Sequence, residues 1–344
     1  MVRILTTRLI AVVIVALLTL ASVGVVLAQG SVSISAGGFL RDDRPWIAEG
    51  VTLVGFVAPQ EKLRPAYAKA RQKFGPDLMR SILDYGADLI RFQISQAGLD
   101  PQSEIFDPDY RQEVLDAIRL ARSYSFTVII SMQWQPPSGL AGQPKMPSEI
   151  TRRAWESILP AVAKDTGIML ELFNEPGLKK RTPENWAIWQ STMQELIDLV
   201  RSKGSENVLL VGGLRGAKYL VGAPHLFDPL KQTGYAVHPF LIRFNRTERQ
   251  WERNWGAFAR THPVMATAFN ARSERTPAQC SPSMPDEATN LLSYLRKLRI
   301  GLVIWAFDLP GVRRGNRLTN FDNFMCDGGN NGAGQLVHDY FLAH

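Results

Sequence analysis

The chain has 344 residues, 45% hydrophobic and 21% charged, with a formal net charge of +7. This composition can bury a sizeable core and excludes a disordered or multi-span membrane chain. The length suits one large α/β barrel, which needs roughly 250 residues plus insertions, or two ordinary domains.

The first feature along the chain is an export segment. Arg3 and Arg8 precede Leu9–Ala28, LIAVVIVALLTLASVGVVLA, an uncharged run that ends in small residues suited to cleavage at Val26-Leu27-Ala28. At about 1.5 Å per residue the same run is long enough to span a bilayer. Residues 1–28 are therefore expected to be a signal peptide or an uncleaved membrane anchor, followed by one folded unit over residues 31–344. Because the arginines lie before the apolar run, that unit is expected outside the cytoplasm, secreted or membrane-anchored, touching the membrane only through the leader. Setting Arg3 and Arg8 aside lowers the net charge from +7 to +5, scattered in short clusters such as Lys179-Lys180-Arg181 and Arg313-Arg314. No basic helix interleaves cations with stacking aromatics, so these clusters read as solvated surface and no nucleic-acid partner is expected.

A short β-rich opening, Ser31 to Trp46, precedes eight strand candidates: Ala48–Phe56, Ala87–Ser95, Phe126–Trp134, Ile168–Phe173, Asn207–Gly213, Tyr235–Phe240, Pro263–Phe269 and Ile300–Asp308. Each is rich in Val, Ile, Leu or Phe without clean polar alternation, as in strands covered on both faces of a parallel sheet. Helix-like stretches alternate with them at Asp77–Tyr85, Asp109–Tyr124, Pro147–Lys164, Pro183–Lys203, Thr247–Arg260, Asp286–Arg299 and Gln335–Leu342, with a weaker one around Lys218–Leu230. Thr182-Pro183-Glu184 is a helix-start signal, a capping hydroxyl followed by proline in the first turn. Eight such alternations predict an α/β fold of the (β/α)8 TIM barrel type. No G-x-G-x-x-G turn follows Phe56, as a dinucleotide-binding sheet would require.

The only two cysteines, Cys280 and Cys326, form a disulfide candidate in an oxidising compartment, with two free thiols as the alternative. Neither they nor the five histidines show metal-ligand spacing, so no metal or cofactor is expected.

In a barrel of this kind the chemistry sits past the carboxyl ends of the strands. The clearest such place is Ile168-Met-Leu-Glu-Leu-Phe-Asn174-Glu175-Pro176, where a carboxylate at a strand end stands beside an amide and before a proline. LELFNEP resembles the fourth-strand motif of glycoside hydrolase family 5, the cellulase-like retaining β-glycosidases. Gly86-Ala-Asp-Leu-Ile-Arg91, Tyr235-Ala-Val-His238 and Ile304-Trp305 resemble the family's second, sixth and eighth strands, in that order along the chain. Gly38-Phe-Leu with Glu49-Gly50-Val51 looks like its N-terminal β-hairpin and first strand. The resemblance implies an oligo- or polysaccharide partner, with Glu175 as acid/base and Asn174 bonding a sugar 2-hydroxyl. It implies further that Arg91 orients the carboxylates, that His238 bonds near the acid/base, and that Trp305 forms a stacking floor. Trp134 is a second stacking candidate, whereas Trp186, Trp189, Trp251 and Trp255 lie on helix-like stretches and are expected to pack against the barrel.

The same resemblance exposes a gap. The family's nucleophile is a glutamate ending the seventh strand, and Pro263-Val-Met-Ala-Thr-Ala268-Phe-Asn270 places Ala268 there. A methyl group can neither attack an anomeric carbon nor stabilise an oxocarbenium-like transition state, so this chain is not expected to run the family mechanism as written. Three explanations compete: a laboratory substitution, a natural non-catalytic descendant, or replacement by Glu274 or Asp308. Phe240 stands where a nucleophile-bonding tyrosine is usual, and Ser131-Met-Gln133-Trp134 lacks a frequent histidine. The alternative to a hydrolase is thus an inactive, membrane-tethered pseudo-hydrolase that binds glycan or serves with partner proteins in an extracytoplasmic assembly.

Overall fold

The opening segment forms three short antiparallel strands, β1 (Val32–Ser35), β2 (Gly38–Arg41) and β3 (Arg44–Pro45). Eight parallel strands follow: β4 (Glu49–Leu53), β5 (Leu89–Ser95), β6 (Thr127–Gln133), β7 (Ile168–Glu171), β8 (Leu209–Gly212), β9 (Thr233–Val237), β10 (Val264–Phe269) and β11 (Leu302–Ile304). They close into a barrel, β11 pairing back on β4. The computed structural model describes residues 30–271, 284–310, 312 and 332–343. The leader, Glu274, Cys280 and Cys326 lie outside these residues. Among the described residues no helix is long and apolar enough to cross a membrane.

Because strand side chains alternate, each strand sends one row into the barrel and one out to the helices. The inward row begins as a closed apolar layer of Leu89, Ile129, Met169, Leu210, Ala236, Met265 and Val303, joined by Val32 and Phe39 of the hairpin. On β4 the layer holds Gly50, where a Cβ would meet a Leu89 methyl carbon at 2.6 Å, so only hydrogen fits. Two residues further on, the same row is polar: Thr52, Arg91, Ser131, Glu171, His238 and Thr267 are all buried, and Trp305 is half-buried. The barrel therefore has an apolar floor and a polar upper storey.

The outward row meets the helices. Trp155, Trp189, Trp251 and Trp255 are fully buried there, the packing role expected of the helical tryptophans. Helix Pro183–Ser202 starts as its sequence signal implies, the Thr182 hydroxyl accepting the Asn185 amide. Other stretches differ. Lys218–Leu230 is not a helix: Gly222 takes φ +94° and Pro224 lacks an amide proton. The Asp228 carboxylate pins that segment instead, accepting both Arg201 donors and the amides of Leu230 and Gln232. Two helices, Pro65–Gln72 and Pro76–Asp84, precede β5 where one is expected. The first strand stops at Leu53 because the next amides, Val54 and Gly55, turn to the Asp308 carboxylate, 2.8 Å from each.

Candidate active site

The fourth barrel strand, β7, builds the centre of the site. Its inward row ends at Glu171; Leu172 and Phe173 pack into the outer core, and the chain then delivers Asn174 and Glu175 to the mouth. Glu175 takes φ +55°, a left-handed conformation that costs a non-glycine residue about 1–2 kcal/mol. Its side chain is 29% exposed, in contrast to the fully buried Glu171.

Arg91 on β5 ties these residues together. Nε donates to Glu171 Oε2 at 2.6 Å, and Nη2 donates to Ser131 Oγ at 2.8 Å and Asn174 Oδ1 at 2.7 Å. Its remaining nitrogen, Nη1, is buried without an acceptor among the described residues. Thr52 Oγ1, on the residue paired with Arg91 across the β4–β5 ladder, is buried and unpartnered in the same way. Burial alone would raise the Glu171 carboxyl, but the Arg91 charge and the hydrogen bonds from His238 and Arg91 outweigh it and lower its pKa to about 2.

His238 spans the two carboxylates. Nδ1 lies 3.0 Å from Glu175 Oε1, while Nε2 faces Thr267 Oγ1 at 3.1 Å and Glu171 Oε1 at 3.4 Å. The second Glu175 oxygen accepts Gln135 Nε2 at 2.9 Å. Burial again acts upward on Glu175, yet His238, through its hydrogen bond and charge, and Lys218 and Arg91 beyond it, leave the carboxyl below its usual range. Asn174 Nδ2 donates to Gln133 Oε1 at 2.9 Å and Gln135 Oε1 at 3.0 Å.

Ala268 owes its place to a bulge in β10. Ala266 pairs with Leu302 and Phe269 with Ile304, three residues against two. Ala266 and Phe269 both pack in the outer core, so Thr267 and Ala268 share the inner side. Ala268 is 2% exposed and belongs to neither apolar cluster. Asp308, the described acid weighed for the nucleophile's role, has one oxygen that accepts the Val54 and Gly55 amides.

Two indoles edge the mouth. Trp134 lies parallel to Phe173, centroids 6.1 Å apart, and donates Nε1 to the Asn174 carbonyl at 2.7 Å. Trp305 donates Nε1 to Gln93 Oε1 at 3.2 Å, and its peptide bond to Ala306 is cis. Arg91, Trp134, Asn174, Glu175, His238 and Trp305 thus join one hydrogen-bonded network through Glu171 and Gln93, with Ala268 beside it. Glu171 is the member that sequence reasoning missed, although a lone carboxylate inside the apolar run Ile168–Phe173 was its signal. Gln135 and Lys218 come from loops and carry no comparable signal.

The loop after β8 brings in Lys218. Arg215, Gly216 and Ala217 all take left-handed φ values, +58°, +68° and +56°. Their backbone is stitched to both neighbours: Arg215 N to Leu178 O, Gly216 N to Pro176 O, and His238 N to Ala217 O, at 2.7–2.8 Å. Gly213 is obligatory at its start, since a Cβ would lie 1.9 Å from the Tyr219 carbonyl oxygen. Among the described residues no group of three or more His, Cys, Asp or Glu side chains could hold a metal ion.

The profile of the cellulase family, glycosyl hydrolase family 5, matches residues 66–309. No curated protein sequence matches the chain. Among solved structures, a β-glucanase from Saccharophagus degradans is similar with a TM-score of 0.68 at 19% identity, covering 92% of this chain and 94% of that one; its cellotetraose complex scores 0.69. The catalytic domain of a Thermobifida fusca endoglucanase, also in complex with cellotetraose, scores 0.63 at 16% identity over 91% of this chain and 98% of that one. At such identities the structural likeness speaks for the fold.

Proposed function

The chain belongs to the cellulase family, glycosyl hydrolase family 5, and from that premise we propose an exported glycoside hydrolase scaffold for a β-linked glucan or mannan. Glu175 is its acid/base, and Ala268 holds the nucleophile's place. Trp134 and Trp305 stack on sugar faces, and Asn174 bonds the 2-hydroxyl. Gln135, which touches both Asn174 and Glu175, yields to the incoming hydroxyl.

Retention needs a second carboxyl about 5–5.5 Å from the first, to form the glycosyl-enzyme. Ala268 cannot supply it, so the chain binds glycan without covalent turnover. The observation that carries the reading is Arg91 Nη1, a buried donor left without an acceptor in a site that lacks one carboxylate. A buried unsatisfied guanidinium nitrogen costs roughly 1–3 kcal/mol, which a glutamate side chain reaching it from position 268 would offset. The missing charge also accounts for Glu175: a general acid must start protonated, and a neighbouring carboxylate is what raises its pKa.

The test is turnover of an aryl β-glycoside by the chain as it stands, with added azide, and by Ala268→Glu. The expected results are no hydrolysis, formation of an α-glycosyl azide, and restored hydrolysis with a bell-shaped pH profile. If azide and Ala268→Glu both fail while glycans still bind, the second reading holds: a non-catalytic, membrane-tethered barrel that binds glycan or works with partner proteins. Phe240 favours that second reading, since its ring, 6.3 Å from the His238 ring, has no hydroxyl to offer a nucleophile. Intact mass of the exported protein decides the leader, loss of residues through about Ala28 ruling out an anchor.

A further inference from the structure

The Glu175 side of the mouth is edged by three cations, Lys218, Arg215 and Arg181. Lys218 is the innermost: its Nζ and the Glu175 carboxyl carbon lie 3.2 Å and 3.6 Å from the same point, the Cβ direction of Gly216, and its charge lowers the Glu175 carboxyl. Arg215 comes next. Its guanidinium sits 3.9 Å from the Phe244 ring centroid and 5.6 Å from that of Tyr219. Arg181, read from sequence as part of a solvated cluster, covers the same Tyr219 ring at 4.4 Å and spends one nitrogen on the Arg253 carbonyl. Among the described residues neither Arg181 nor Arg215 has an ion-pair partner, and the Arg215 side chain makes no hydrogen bond.

Aromatic rings hold a guanidinium in place without cancelling its charge, and they leave its N–H edge open to a planar anion. The three consecutive left-handed residues, laced to Pro176, Leu178 and His238, fix this ledge relative to Glu175. Arg181 is exposed and Arg215 partly so, and two positioned guanidiniums without an ion-pair partner gain more from a carboxylate, through charge-assisted hydrogen bonds, than from neutral hydroxyls.

From this ledge we infer that the glycan is anionic: a β-linked polysaccharide bearing carboxylates, one of which lies against Arg215 and Arg181 while Lys218 screens it from Glu175. The inference rests on the glycan-binding reading above and narrows its substrate class.

The experiment is calorimetric titration of the full chain with cellotetraose and with the same tetramer oxidised at C6 to glucuronic acid units. The acidic tetramer should bind about tenfold more tightly at low ionic strength, as for a charge-assisted contact, and the gap should close near 1 M salt, where the Debye length is about 3 Å. Arg215→Asn removes the charge with a residue that tolerates left-handed φ, and should abolish the preference while sparing affinity for cellotetraose. Arg181→Gln, with an unchanged melting temperature as its check, gives the same readout should the first variant fold poorly. Equal affinities for the two tetramers, or a preference that survives both substitutions, would overturn the anionic subsite alone. Absence of binding to either tetramer overturns the glycan-binding reading with it.

Discussion

Glu171 at the top of the barrel's fourth strand and Glu49 at the bottom of its first are both carboxylates drawn out of water, and they end in opposite states. Glu171 is the more deeply buried, yet Arg91 and His238 bring its pKa to about 2. Glu49 is only half-buried, yet its pKa is raised to about 7, by burial first and then by the like charge of Asp88, with Arg296 opposing. Asp88 is raised by burial as well, although Trp46, the Glu49 amide and Arg41 all favour its charged form. Depth therefore does not decide ionisation here. What decides it is the balance between burial and the cation and donors built against the group: at Glu171 the cation and donors prevail, whereas at Asp88 burial prevails over Arg41, Trp46 and the Glu49 amide.

The comparison breaks most sharply if its cation is removed. Arg91→Met leaves Glu171 charged and buried and should destabilise the barrel by about 3–5 kcal/mol in denaturant unfolding; a loss under about 1 kcal/mol would mean the pair does not hold the charge. Acid titration is the next test. The folded pKa of Glu171 is depressed, so its stabilising contribution is complete above the unfolded value of 4.5 and is lost as pH falls toward about 2. Glu171→Gln should unfold with a flatter pH dependence across that window, and an unchanged slope would count against the assignment. The floor should answer with the opposite sign and the smallest effect. Glu49 has a raised folded pKa, so folding bears no charge penalty below 4.5 and a growing one up to about 7. Allowing for solvent screening of a half-exposed group, Glu49→Gln should stabilise by about 1 kcal/mol near pH 8 and by nothing near pH 4.

Much of this was legible in the sequence where period and residue type act locally. Eight apolar runs without alternation implied buried parallel strands, and each contains the strand it led one to expect, except that the sixth begins two residues early, at Thr233. Asn174 and Glu175 stood at a strand end, where a barrel gathers polar side chains, and Arg91, His238 and Trp305 were singled out by the family resemblance of their strands. The exception in the helices is Lys218–Leu230, whose apolar residues suggest a face, while Gly222 and Pro224 together with the Asp228 carboxylate dictate a pinned loop. Glu171 was placed in the right strand but passed over as a site residue, because a single carboxylate in six residues barely disturbs the apolar pattern.

The order of elements, the barrel and the strand-end residues follow from the sequence by itself, since they depend on spacing along one chain. Tertiary structure alone decided which polar groups meet: that Arg91 spends two nitrogens on Glu171, Ser131 and Asn174 and keeps one unspent, that one imidazole spans two glutamates, and that Arg181 and Arg215 share Tyr219. The bulge that turns Ala268 inward is of the same kind. Arg215–Tyr219 aside, these contacts join residues 35 to 83 positions apart, and the charge state of each carboxylate is set by neighbours that closure of the barrel brings within a few ångströms.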